Sequence, residues 1–121
     1  MSDVPHPGPQ PPLFSYPFEE ARLAAAAARD LADDLAQRAD RYEAAAAVAT
    51  VGFAGRTATT FEAQLRDTLA GLRAEAATLH GHADALEGDL VVARQREEAA
   101  TQAREDWRRR HETWREAQRV G

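Results

Sequence analysis

Val51-Gly52-Phe53-Ala54-Gly55-Arg56-Thr57-Ala58-Thr59-Thr60-Phe61 is the clear break between two long alanine-rich helical patterns. Two glycines with Phe53 between them interrupt the helix period, and the reading places a turn at 51–56. Upstream, a helix is expected over 17–50. Pro17 suits the first helical position, and Glu19 and Glu20 then fall where the helix dipole favours negative charge. Its seam is Phe18, Ala21, Ala25, Ala28, Ala32, Leu35, Ala39, Tyr42, Ala46 and Ala49, in alternating steps of three and four, with Leu31 on its flank. Arg22, Arg29, Asp30, Asp33, Asp34, Gln37, Arg41 and Glu43 make the opposite, solvated face. Alanine is the best helix former, so local propensity and pattern agree. Burying an alanine methyl yields only about 0.8 kcal/mol, against about 1.5–3 for a leucine. A lone hairpin on such a seam is marginal, which predicts that further helices are recruited.

Downstream, a second helix is expected over 57–93, with Thr59 and Glu62 read as a capping box unless the helix starts earlier, around Arg56 or Thr57. Its seam is Ala58, Phe61, Leu65, Thr68 or Leu69, Leu72, Ala76, Leu79, Ala83, Leu86, Leu90 and Ala93. Gly71, Gly81 and Gly88 weaken it by about 1 kcal/mol each relative to alanine. Gly88-Asp89 is the expected kink or end. Residues 94–121 form a charged, Arg/Glu-rich helical arm, with Glu105–Arg109 and Asp106–Arg110 expected as ion pairs four residues apart. Trp107 and Trp114, seven apart, share a face and are the arm's candidate partner contact. The arm either continues the second helix or folds back as a third. Residues 1–16 carry prolines at 5, 7, 9, 11 and 12, which exclude helix. They read as a disordered tail or, on the functional reading, as a docking strand anchored by Leu13 and Phe14.

The chain has 121 residues and a net charge of -5, which argues against attraction to nucleic acid or an anionic membrane as a whole. Every basic residue is arginine and cysteine is absent. The first fact, with the abundance of alanine, reads as the bias of a GC-rich genome. The second removes disulfides, thiolate zinc sites and cysteine nucleophiles. No apolar run approaches the ~18 residues of a membrane span. The N-terminus has neither the basic nor the apolar region of a classical signal peptide. A cytoplasmic protein is therefore expected, or one exported by another route.

Catalytic and cofactor chemistry is not expected. His80 and Asp84 share a helix face, but His82 points roughly 160° away, so no three-ligand metal site forms. No serine–histidine–acid constellation is suggested, since Ser2 and Ser15 both lie in the head expected to be disordered, and His111 is expected to be an exposed helix residue. Gly52-x-x-Gly55 lacks the Gly-Lys-Ser/Thr of a phosphate loop. In the arm, Glu97, Glu98, Glu105, Asp106, Glu112 and Glu116 alternate with Arg104, Arg108, Arg115 and Arg119, which favours a solvated helix or a protein contact over nucleic acid.

Phe53-x-Gly55-x-x-Ala58-x-x-Phe61 resembles the turn of the WXG family, the helical hairpins of type VII (ESX) secretion. In that family a Trp-x-Gly turn joins two antiparallel helices. Phe53 stands for the family's tryptophan, Gly55 for its glycine, and Ala58 and Phe61 for its following contact residues. Gly55 supplies a backbone conformation or a close approach that a side chain would obstruct. The family's Tyr-x-x-x-Asp/Glu export signal has no counterpart after Tyr42, and Tyr16-x-x-x-Glu20 has the spacing at the opposite end. The resemblance implies an all-α protein, an antiparallel two-helix hairpin with an extended or third C-terminal helix, pairing into a four-helix-bundle dimer. Gly52, Phe53, Gly55, Ala58 and Phe61 make its turn. Ala28, Leu31, Leu35, Tyr42, Leu65, Leu72, Leu79 and Leu86 make its pairing seam. The partner is itself or a related hairpin, and beyond that the secretion machinery or a toxin domain. The implied role is a secreted substrate or its partner. A cytosolic coiled-coil scaffold, or a chaperone or immunity partner of a toxin, are the alternatives.

Overall fold

The computed structural model describes residues 3–120. Residues 1, 2 and 121, the ends of the expected tail and arm, lie outside the described residues. Two helices are present, α1 (Phe18–Ala49) and α2 (Arg56–Val120), and the described residues contain no strand.

α1 starts directly after Pro17, with Glu19 and Glu20 in its first turn. Its C-terminus closes tightly. The main-chain nitrogen and the hydroxyl of Thr50 both donate to Ala46 O (2.9 and 2.6 Å), and Phe53 N donates to Thr50 O at 2.9 Å. Gly52 (φ 84°) and Gly55 (φ 88°) both take the left-handed conformation. That conformation opposes L-residues by ~1–2 kcal/mol and costs glycine nothing. A Cβ on Gly55 would meet nothing within 4 Å. Of the two roles expected for this glycine, the structure selects the backbone conformation and not the close approach.

α2 begins at Arg56, three residues before the expected capping residue. Thr59 is inside its first turn, where the main-chain nitrogen and the hydroxyl both donate to Gly55 O, each at 3.2 Å. The helix then runs 65 residues without interruption. It passes through Gly71, Gly81 and Gly88 and through the expected boundary at Ala93. No proline follows Pro17, and Arg, Glu, Ala and Gln between them supply enough propensity to carry it past single glycines. The arm is the continuation of α2 and not a third helix.

The chain divides into two compact units. One is the hairpin, Glu19–Gly88. Its antiparallel course, set by the short connection 50–55, is seen in the cross-helix ion pairs. Arg29, early in α1, reaches Asp84 and Glu87 late in the hairpin, whereas Arg73 reaches back to Asp40 and Glu43. Its core is small: Ala21, Ala25, Ala32, Ala39 and Ala46 of α1 with Ala58, Leu69, Ala76 and Ala83 of α2 are buried. Among the described residues no large side chain is fully buried.

The other unit joins the N-terminal segment, through Phe18, to α2 from Asp89 onward. Ala93 is buried here, the Arg94 guanidinium lies 5.0 Å over the Phe18 ring, and Tyr16 meets Phe18 edge-on at 5.1 Å. The stretch expected as a disordered tail is placed along the arm. It has no helix or strand, as its prolines require, but its carbonyls and rings are engaged.

Candidate functional site

The bend brings its predicted residues together in part. Phe53 and Phe61 meet edge-to-face with ring centroids 6.4 Å apart, and Ala58 is buried. Phe53 remains 56% exposed, so it touches the tip of the hairpin without sealing it.

The predicted pairing seam separates into two lines. Helix geometry of about 100° per residue explains how. Measured from the buried Ala32–Ala39 line of α1, Arg29, Asp33, Asp40 and Glu43 fall to one side. Ala28, Leu31, Leu35 and Tyr42 fall to the other. Measured from Ala76 and Ala83 of α2, Arg73, His80, Asp84 and Glu87 fall to one side. Leu72, Leu79 and Leu86 fall to the other, while Leu65 sits on the line itself, beside Glu43 and Arg73. The ion pairs join the polar sides of the two helices, so the apolar sides share the opposite face. Alanine makes the hairpin contact itself. Of the large residues chosen for pairing, Leu35, Leu65, Leu72, Leu79 and Leu86 are half-buried, as is Ala28, while Leu31 and Tyr42 are exposed (50% and 56%).

The polar face is a ladder of cross-helix contacts. Arg29 donates through Nε to Glu87 Oε1 (2.9 Å) and through Nη2 to Glu87 Oε2 (2.7 Å) and Asp84 Oδ1 (2.6 Å). Arg73 Nη2 donates to Glu43 (2.8 Å) and Asp40 (3.3 Å). His80 Nε2 lies 3.3 Å from Asp33 Oδ1. His80 and Asp84 therefore do not pair with each other, because each has an opposite number on α1. Hydrogen bonds from Arg29 hold the Glu87 carboxyl below its ordinary range, and those same bonds, to Glu87 first and Asp84 second, raise Arg29 above its own. The signal was legible: residues flanking an apolar seam on antiparallel helices are the ones positioned for cross-helix ion pairs. Reading Arg29, Asp33 and Glu43 only as a solvated face missed it.

In the arm, Trp107 and Trp114 do lie on one face, with His111 between them. The Trp107 and His111 rings stack at 4.7 Å and 18°. His111 is thus half-buried between two tryptophans, not an exposed helix residue as expected. The N-terminal segment covers this face. Trp107 Nε1 donates to Gly8 O at 2.8 Å, Arg104 Nη1 donates to Pro11 O at 2.8 Å, and the His6 ring stands edge-on to Trp114 at 4.6 Å. The expected Asp106–Arg110 pair is replaced by Asp106 with Arg109, one residue closer, and Gln102 Nε2 also donates to Asp106 at 3.1 Å. Those two bonds, with Arg109 foremost, lower the Asp106 carboxyl.

Among the described residues, no group of three or more His, Asp or Glu side chains is placed to hold a metal ion. No helix there is long and apolar enough to cross a membrane. No family model, curated protein or solved structure matches the chain.

Proposed function

We propose that this chain is a non-enzymatic helix-pairing protein that docks the leucine face of its hairpin against a second helical hairpin, its own copy or a related chain. The observation that carries the reading is the division of the hairpin into a polar face and an apolar one. Ion pairs occupy one flank, while Leu31, Leu35, Tyr42, Leu72, Leu79 and Leu86 line the other, half-buried or exposed. A core of alanines stabilises an isolated hairpin weakly. Covering the leucine face would add the larger apolar contribution and close a four-helix bundle. Sedimentation of the full chain at micromolar concentration tests this, with a dimer expected. A stable monomer that gains no mass with any co-expressed hairpin protein overturns it.

The system we assign is type VII secretion, with the chain acting as a secreted substrate or the partner of one. The support is the Phe53-x-Gly55-x-x-Ala58-x-x-Phe61 resemblance, together with a bend at which Gly55 has a positive φ and the two phenylalanines touch. Deleting the secretion ATPase in the source organism is expected to retain this chain or its pairing partner in the cells. Unchanged export of both removes the assignment. A second reading, a coiled-coil scaffold, is favoured by one observation: α2 is unbroken to Val120. It predicts parallel self-association through α2, which disulfide trapping of a cysteine placed at Ala100 would detect.

A further inference from the structure

The geometry points to a recognition site for extended proline-rich peptide on the arm, formed by Arg104, Trp107, His111 and Trp114 and held in this structure by the chain's own residues 4–11. Its chemistry is that of polyproline recognition. A proline-rich strand has no internal hydrogen bonds, so its carbonyls point outward and accept from a partner's side chains. Trp107 and Arg104, three residues apart on α2, donate to Gly8 O and Pro11 O, three residues apart on the segment. Both contacts are to main-chain carbonyls, so they read the course of the backbone rather than a particular side chain. The rings of Trp107, His111 and Trp114 form an aromatic row along the arm, and the His6 ring of the segment stands edge-on to His111 and Trp114.

The lengths also match. Residues 4–15 span about 34 Å when extended at ~3.1 Å per residue. The stretch of α2 they follow, from Val92 beside Ser15 to Glu116 beside Val4, spans about 36 Å at ~1.5 Å per residue. One local device holds the resident segment in register. Gly8 takes φ 81° and its nitrogen donates to His6 Nδ1 at 3.0 Å, turning the strand so that Gly8 O faces Trp107. The tethered segment is present at an effective concentration on the order of millimolar. It shields the site until a partner's proline-rich segment with more contacts displaces it. The site is independent of the helix-pairing reading, since none of its residues lies in the hairpin.

The test uses the full chain. Gly8→Pro removes the donor to His6 and forbids the positive φ, which releases the resident segment; His6→Ala is added if tryptophan quenching by acrylamide remains at the wild-type level. The probe is a fluorescein-labelled synthetic peptide of residues 3–16. We expect saturable binding to the released chain at least about tenfold tighter than to wild type, where the tethered segment competes. Trp107→Phe in the released chain keeps the ring and removes the N–H. It should weaken binding by about tenfold, the size of one unmade hydrogen bond, with helix content unchanged. Quenchable tryptophans without saturable binding would overturn the inference, as would binding indifferent to Trp107→Phe. A wild-type dimer abolished by Gly8→Pro would assign the face to a second copy's segment and overturn it likewise.

Discussion

The glycines of this chain have opposite values to it, and the backbone angle decides the sign. Gly55 at φ 88° sits where only glycine is unstrained, with open space around it. Gly55→Ala is expected to cost about 1–2 kcal/mol, read from urea unfolding followed by circular dichroism. Gly71 lies inside α2 with equally open space, and Gly71→Ala is expected to stabilise by up to about 1 kcal/mol. Equal effects at the two positions would mean that the bend does not depend on the positive φ of Gly55. Glu87 carries a pH signature. Its carboxyl is lowered by Arg29 in the folded chain, so the stabilisation it contributes is complete above the unfolded value of about 4.3 and is lost as pH falls through the lowered folded value. The difference in urea midpoint between wild type and Arg29→Met should therefore hold constant down to about pH 4.5 and close below it. High salt should shrink the same difference, since the ladder is partly exposed.

Among elements, α1 was legible nearly to the residue. Pro17, the acidic first turn and the alanine repeat all act locally, and local signals survive into the fold. The end of α2 was not legible, because three glycines and a change of composition at Ala93 look like a stop when read against propensity alone. The absence of any proline after Pro17 outweighed them. The seam was read as one line of residues, yet the two heptad positions diverge: the alanine line closes the hairpin and the leucine line does not. A heptad pattern places both lines near the partner, but it does not say which partner each line meets. The alanine line admits a sharp test. Ala39 is fully buried, and Ala39→Leu should destabilise by about 1–3 kcal/mol although it adds apolar surface, because the added atoms wedge the helices apart. A thermal midpoint that rises in Ala39→Leu would mean the helices are not in close contact there.

At the scale of the molecule, the pairing proposed for the leucine face would make stability depend on concentration in a way a self-sufficient fold does not. Substituting glutamate for both Leu72 and Leu79 should weaken dimerisation by at least about a hundredfold, since each buried charge would lack a partner, while the helix content of concentrated protein persists. The place of the proline-rich head was not legible. Its composition is that of a disordered tail, and what orders it is a long-range match of carbonyls to Arg104 and Trp107 that local patterning does not register. The bend, finally, is a tip without a core of its own: Val51, Phe53 and Gly55 are exposed and Arg56 opens α2. The chain has no lysine, so trypsin can cut only after arginine; its first cut is expected after Arg56, and the nicked fragments should remain associated along the alanine line. The connection would then be a leash, dispensable once the two helices have met.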